Sequence, residues 1–246
     1  MKFILYNIRY GTGGKMVRKL FLPYITGYMS NTINHVKEIS KFLKEENPDI
    51  VGLVEVDLGS VRHSYLNQVE VLAKELNHYN SHEVKYNNNS KFNKFPVLRK
   101  QGNAILYNEE FKGIKFHHFE QGTKTLIIEL EMDKVVVFLV HLALGRKIRF
   151  KQINQLYKLI KTQTKEVIVG GDFNLMWGEE EIELFLEATG LINPNKEKLA
   201  TFPSWKPKKH LDFILHSKNI QINEFRVEKI ELSDHLPLIL DFDVVS

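Results

Sequence analysis

The chain has no cysteine, only two tryptophans and seven prolines among 246 residues, and no stretch approaching the roughly 18 uninterrupted apolar residues of a membrane span. The missing cysteines exclude disulfides, thiolate zinc sites and a cysteine nucleophile. The missing apolar run excludes a transmembrane helix. Charge of one sign is also scarce: 34 Lys and Arg face 30 Asp and Glu, a net of +4, which is a mild bias towards anionic partners and no more. Met1 to Asn7 lacks the apolar stretch and cleavage site of a signal peptide, so the expectation is a soluble, cytoplasmic protein.

What the chain does have is apolar content, 43% of its residues, ample for a sizeable core. Phe3 to Ile8 reads as a buried strand opening into a loop at Gly11, Gly13 and Gly14. From Thr32 to Glu46, residues Ile33, Val36, Ile39, Phe42 and Leu43 fall on one helical face, stopped by Asn47-Pro48. Ile50 to Val54 is a compact strand that delivers Glu55 at its end. A second amphipathic helix spans about Tyr65 to Leu76, and Tyr86 to Lys100 is too polar for core. Strands come next at Asn103 to Tyr107, Lys124 to Glu131 and Val135 to His141, then a helix at about Lys147 to Lys161 and a strand at Glu166 to Val169, broken by Gly170-Gly171. A short helix near Glu180 to Ala188 precedes strands at His210 to His216, Ile220 to Glu228 and Leu236 to Phe242. Neither a repeat nor a linker divides the chain, so one domain of stacked sheets flanked by helices is expected over residues 1–246.

The position of the polar residues carries the chemistry. Asn7, Glu55, Asn103, His141, Asp172 with Asn174, Asp212, and Asp234 with His235 each lie within or beside a predicted strand, most at its C-terminal end. A carboxylate in an apolar run is costly to bury unless it is paired or binds metal. One such residue is more often a satisfied core group; a series of them along one domain points to a site. Glu55, Asp172 and Asp234 are hard oxygen donors suited to Mg²⁺ or Mn²⁺. His141 and His235 can act as base, acid or donor, and Asp212 can hold a histidine ring in one tautomer.

Two segments are the most specific: Gly170-Gly171-Asp172-Phe173-Asn174 after the strand Val167-Ile168-Val169, and Ser233-Asp234-His235-Leu236-Pro237 at the start of the last strand. Together with Tyr6-Asn7-Ile8-Arg9-Tyr10-Gly11, Leu53-Val54-Glu55-Val56-Asp57, Gln101-Gly102-Asn103-Ala104-Ile105, Val140-His141-Leu142 and His210-Leu211-Asp212-Phe213-Ile214, they resemble, in order and nearly end to end, the endonuclease/exonuclease/phosphatase superfamily of deoxyribonuclease I-like enzymes. The resemblance implies an α/β fold, a four-layer α/β sandwich of two facing mixed sheets with helices outside, forming one catalytic domain with the site across its top edge. It implies Mg²⁺, for which Mn²⁺ can substitute, held by Glu55 with Asn7 and Asp234 nearby. His235, oriented by Asp212, then serves as general base. Asp172 and Asn174 position the nucleophile and contact the phosphoryl group, His141 donates to a non-bridging oxygen, and Asn103, where several relatives carry an acid, supports the His141 ring. Arg9 is a candidate substrate contact on the same grounds.

The scaffold does not name the substrate. Residues 15–25, apolar and aromatic with Lys15, Arg18 and Lys19, suit contact with a phospholipid surface, which would make the protein peripheral at the membrane; a loop packed on its own domain has the same composition. Lys85 to Lys100, with Lys91, Lys94, Arg99 and Lys100 among Tyr86, Phe92 and Phe95, suits nucleic acid or simply a solvated loop. Trp205, in Thr201 to Lys209, either shapes the substrate pocket or packs a proline-rich turn. This segment and the basic apolar loop are together similar to bacterial relatives of the C-terminal domain of a GPI-anchor lipid-remodelling protein. The reading is therefore a metal-dependent phosphoesterase acting on a lipid-linked or small-molecule phosphodiester. A nuclease is the alternative, and a catalytically silent phosphate-binding protein is the alternative of another class.

Overall fold

Alternation decides where each strand faces. In β1 (Lys2–Asn7), Phe3 and Leu5 point into the space between two sheets, whereas Ile4 and Tyr6 point to the opposite face. In β7 (Val135–His141), Val135, Val137 and Leu139 point inward, and Val136, Phe138 and Val140 outward. Strands apolar on both faces need a cover on both, and helices supply the outer one. The computed structural model describes residues 1–14, 32–86, 95–108 and 111–245. The segment at residues 15–25 proposed from the sequence for phospholipid contact lies outside them.

Among the described residues, β1 joins β2 (Ile50–Asp57), β3 (Tyr79–Val84), β4 (Gln101–Tyr107), β10 (Ile220–Val227) and β11 (Leu238–Val244) in a sheet of order β10-β11-β1-β2-β4-β3. The second sheet, β5-β6-β7-β8-β9, contains β5 (Gly113–His118), β6 (Leu126–Glu131), β7, β8 (Glu166–Asp172) and β9 (Asp212–His216). Helices α1 (Ile33–Glu46) and α2 (Gln68–Leu76) cover the first sheet through Val36, Ile39, Leu43, Val69 and Leu72. Helices α3 (Arg146–Lys161) and α4 (Glu183–Thr189) cover the second through Ile153, Leu156 and Phe185. The two faces between the sheets meet in a third apolar layer. The architecture is the expected four-layer sandwich.

Gly170 and Gly171 do not break the chain as the sequence suggests; they continue β8. Both are glycines because neighbours approach closely. A Cβ on Gly170 would stand 2.8 Å from the Phe3 ring, and one on Gly171 would stand 2.2 Å from the Val140 carbonyl oxygen. The strand therefore runs on to Asp172. The Ser233 to His235 segment, expected to begin the last strand, is instead the loop before β11.

Candidate active site

One edge of the sandwich collects the polar residues, and strand direction explains why. Parallel strands β1 and β2 reach it with Asn7, the last residue of β1, and Glu55, two residues before the end of β2, and parallel strands β7 and β8 end there with His141 and Asp172. Their antiparallel neighbours begin where those end. Asn103 therefore enters near the start of β4, Asp212 opens β9 in register with Asp172, and Asp234 and His235 lead into β11. Residues up to 228 positions apart, from Asn7 to His235, thus share one rim.

Asp212 and His235 form the tightest pair. His235 Nδ1 lies 2.7 Å from Asp212 Oδ2, which also accepts from Thr201 Oγ1 at 2.6 Å. Burial works against charge on His235, but Asp212, Asp172 and Asp234 outweigh it and raise the ring to about 10. The loop is clamped from one side: Ser204 donates from its backbone to the Asp234 carbonyl at 2.8 Å and from Oγ to the Ser233 carbonyl at 2.6 Å, and the Phe202 ring sits 4.9 Å from the imidazole.

Asp172 is the hub. Its Oδ1 accepts from the backbone N–H of Asn174 at 2.9 Å, closing a tight turn with Asn174 at φ 53°. Its Oδ2 accepts from Asn7 Nδ2 at 3.1 Å and lies 3.3 Å from His141 Nε2 and 4.0 Å from His235 Nε2. Burial opposes its charge, but His141, His235 and Lys124 prevail and hold the carboxyl well below the usual carboxylate range. Asn174 spends its amide hydrogen on the Leu142 carbonyl at 2.9 Å, so it ties the ends of β7 and β8 together.

Glu55 stands on a β-bulge. The β2–β4 register shifts between Leu53 and Val56, and Glu55 takes φ 58°, a left-handed conformation that costs a non-glycine residue energy. The bulge is held by Asn103, whose Oδ1 accepts from the Glu55 backbone N–H at 3.2 Å. Asn103 thus supports Glu55 and does not bond the His141 ring, contrary to the role the family resemblance implies. An amide suits the task, because it offers an acceptor without adding charge beside the Glu55 carboxylate.

Two cations complete the site, Lys85 buried and Lys124 half-buried. Lys85 places Nζ 3.9 Å from Glu55 Oε1 and also reaches the Tyr10 hydroxyl. Lys124 reaches His141 Nε2. Burial alone would raise the Glu55 carboxyl, yet Lys85, Lys124 and His141 hold it at about 2. Burial, with help from Lys124, pushes the His141 ring down to about 4, so that ring is neutral.

The residues present fit a hard divalent cation. Glu55 and Asp234 keep side-chain exposures of 18% and 15% while Asp172 and Asp212 are sealed, so these two mark the mouth. The Glu55 carboxylate accepts no hydrogen bond among the described residues. Burial raises the Asp234 carboxyl and the charge of Glu55 raises it further, against the pull of His235 and Arg9. Glu55 and Asp234, two carboxylates that repel each other, and the amide oxygen of Asn7, which also accepts from the Arg9 backbone N–H at 3.1 Å, are oxygen donors of the kind Mg²⁺ and Mn²⁺ take. A tighter group, Asp172, Asp212 and His235, has ligand atoms within 4.8 Å of one another. Its closest pair is already satisfied by the Asp212–His235 bond, which suits proton handling better than metal.

Every proposed site residue except Trp205 meets at this edge. Arg9 Nε pairs with Asp234 Oδ2 at 3.2 Å. Trp205 is half-buried and makes neither a hydrogen bond nor a ring contact with the site; Thr201, Phe202 and Ser204 from the same segment do that work. Sequence reasoning misses Lys85, Lys124, Thr201 and Phe202. Lys124 is legible in one respect, since it directly precedes an apolar run as Asp212 does.

A family model described as "Endonuclease/Exonuclease/phosphatase family" matches residues 5–235. The chain belongs to this family. Its members are phosphoesterases, and the match extends from β1 to His235. Among solved structures, mannosyl-6-phosphatase from Bacteroides thetaiotaomicron superposes with a TM-score of 0.72 at 14% identity, covering 99% of each chain. The human Nocturnin catalytic domain with bound sulfate anion gives 0.71 at 19% identity over 100% of this chain and 94% of that one. Humanized D. rerio TDP2 gives 0.69 at 15% identity over 99% and 98%. At these identities the likeness is one of fold. No curated protein sequence matches the chain.

Proposed function

We propose that this family member is a Mg²⁺-dependent hydrolase of a small-molecule or lipid-linked phosphoester, with an Asp–His pair as its general base. The observation that carries the reading is His235 fixed on Asp212 at 2.7 Å, beside Asp172 and next in sequence to one of the mouth carboxylates. Glu55, Asp234 and Asn7 would hold the ion. Bound there, a divalent cation supplies Lewis-acid stabilisation of charge on the phosphoryl oxygens and withdraws the negative charge of Asp234 from His235. Nδ1–H of His235 stays on Asp212, so in the neutral form of the ring Nε2 is the nitrogen that takes the proton of the attacking water; because Asp212, Asp172 and Asp234 raise the ring to about 10, turnover should climb with pH as that form is populated. Asp172 and Asn7 orient that water, and Asn174 keeps the Asp172 turn closed. Arg9 meets the negative charge of the substrate at the rim.

Of the patch from Lys85 to Lys100, residues 87–94, with Lys91, Phe92 and Lys94, lie outside the described residues; Lys85 is buried against Glu55, and Tyr86 is buried with its hydroxyl on Gln101 at 2.9 Å, so these two serve no exposed strand-binding surface, whereas Phe95 and Arg99 are exposed. The lipid part of the reading rests on the composition of residues 15–25.

Turnover of bis-p-nitrophenyl phosphate with Mg²⁺ or Mn²⁺, abolished by EDTA, tests the enzyme. Manganese binding measured by calorimetry should be lost in Glu55→Gln. Release of phosphorylated headgroups from liposomes, set against plasmid nicking, tests the substrate class. A protein that binds no divalent ion and hydrolyses no phosphoester would sink the proposal and favour the silent binder.

A further inference from the structure

The second sheet lines up its site residues in strand order. Lys124 stands just ahead of β6, His141 ends β7, Asp172 ends β8, and Asp212 opens β9 with His235 on its carboxylate. The two imidazoles flank the same atom, since His141 Nε2 and His235 Nε2 lie 3.3 Å and 4.0 Å from Asp172 Oδ2. The row is unsymmetrical at its ends. His235 rests on an anion, Asp212, which suits a group that collects a proton. His141 rests on a cation, Lys124.

That difference fixes what His141 can do. A lysine ammonium has protons to give and no lone pair to offer, so Nε2 is the acceptor of its hydrogen bond and the ring proton sits on Nδ1. Nδ1 is buried without a partner among the described residues, and Asn103 is turned to the Glu55 backbone. On the side facing the site, His141 therefore has no proton of its own. The proton and the positive charge there belong to Lys124. This lysine is half-buried and its backbone is pinned: its carbonyl accepts from Gln152 Nε2 at 2.8 Å, and the next residue, Thr125, donates to the Lys85 carbonyl at 3.0 Å.

Displacement at phosphorus keeps the attacking and leaving oxygens roughly in line, so the base and the group that meets the leaving oxygen belong at opposite ends of the row. We propose that Lys124 is a catalytic residue that meets the leaving oxygen, with His141 as the positioning residue that aims it. The inference rests on the phosphoesterase reading above. Water forms the new P–O bond and loses a proton to His235 Nε2. The P–O bond to the leaving group breaks, its electron pair stays on the leaving oxygen, and Lys124 Nζ gives that oxygen a proton. His235 then releases its proton to solvent and Lys124 regains one, so the cycle closes without net charge.

The test is leaving-group dependence, measured on the full chain with Mg²⁺ over a series of phosphoesters from p-nitrophenyl through phenyl to alkyl. p-Nitrophenolate departs without help; an alkoxide does not. Lys124→Gln should lose less than about 10-fold in kcat on the p-nitrophenyl ester and about 100-fold or more on the alkyl ester. Added ethylammonium should restore Lys124→Ala on the alkyl ester alone. Equal losses across the series, or rescue blind to the leaving group, would mean that Lys124 only holds the fold, and would overturn the assignment while leaving the phosphoesterase reading intact. An unchanged Lys124→Gln overturns it too. A wild type inactive throughout the series overturns both.

Discussion

Replacing Asp212 by Asn removes a charge and almost no volume, so its effect can be worked out from the hydrogen bonds alone. Asp212 Oδ2 accepts two of them, from His235 Nδ1 at 2.7 Å and Thr201 Oγ1 at 2.6 Å, whereas Oδ1 is buried with no partner among the described residues. The new amide has two orientations. With its oxygen at the Oδ2 position both bonds survive, but the NH₂ is then buried without an acceptor, at a cost of about 1–3 kcal/mol. Turned over, the NH₂ faces His235 and donates to Nδ1, which forces the ring proton onto Nε2. That is the tautomer unable to accept a proton from water. In either orientation the carboxylate that stabilises the imidazolium is gone. The expected loss in kcat is about 10³ to 10⁴-fold, or about 4–5.5 kcal/mol of transition-state stabilisation. The assay is steady-state turnover of a phosphodiester with saturating Mg²⁺, alongside thermal unfolding to show that the variant folds. Because the two residues act as one device, Asp212→Asn combined with His235→Ala should be no slower than His235→Ala alone. If Asp212→Asn stays within about 3-fold of wild type, or if the two losses multiply, the Asp–His pair is not the general base.

Other perturbations probe the frame. Thr201→Val deletes one of the two donors on Asp212 Oδ2 and should cost about 10-fold in kcat with little change in KM, measured in the same assay. Arg149 is fully buried and gives hydrogen bonds to the carbonyls of Ala143 and Leu144, at 2.8 Å each, and to both Glu181 oxygens, so Arg149→Met should destabilise by about 3–5 kcal/mol in urea unfolding. Gly170→Val drives a side chain into Phe3 and should cost about 1–3 kcal/mol; Phe3→Leu should restore part of it, whereas purely additive losses would place the strain elsewhere. Removing the apolar side chains of Phe21, Leu22 and Ile25 should abolish binding to phospholipid vesicles while turnover of soluble esters persists; unchanged vesicle binding would return that segment to a structural role.

Burial governs how much of this is legible in the sequence. Strands with both faces covered write themselves as apolar runs, which is why β7 can be read to the residue and β1 to within one. The edge strands β3, Tyr-Asn-Ser-His-Glu-Val, and β5, Gly-Ile-Lys-Phe-His-His, escape such a reading, because each has one neighbour and largely solvated side chains, so neither leaves an apolar signature. Gly170 and Gly171 mislead for a different reason. Glycine marks turns on average, but here it marks where an aromatic ring and a neighbouring strand come too close for any Cβ, which depends on Phe3 and Val140, residues that local pattern does not connect to it.

The site shows the same limit from the other side. Carboxylates, amides and histidines at strand ends stand out because such groups rarely follow apolar runs without a reason. Lysines do not stand out in a chain with 34 Lys and Arg, so Lys85 reads as the edge of a solvated loop and Lys124 as no more than the first residue of a strand. Only the fold shows that one is sealed against Glu55 and that the other aims into His141. This matters for charge balance. Glu55, Asp172, Asp212 and Asp234 crowd one rim, and the resident cations that offset them, Arg9, Lys85 and Lys124, come from three different segments. An anionic rim with built-in lysines can fold before any metal arrives. On the proposed assignment of Lys124 and His235, a phosphoester entering this site would meet positive charge on the His141 side and the proton-accepting pair on the His235 side, a polarity that a motif list does not contain.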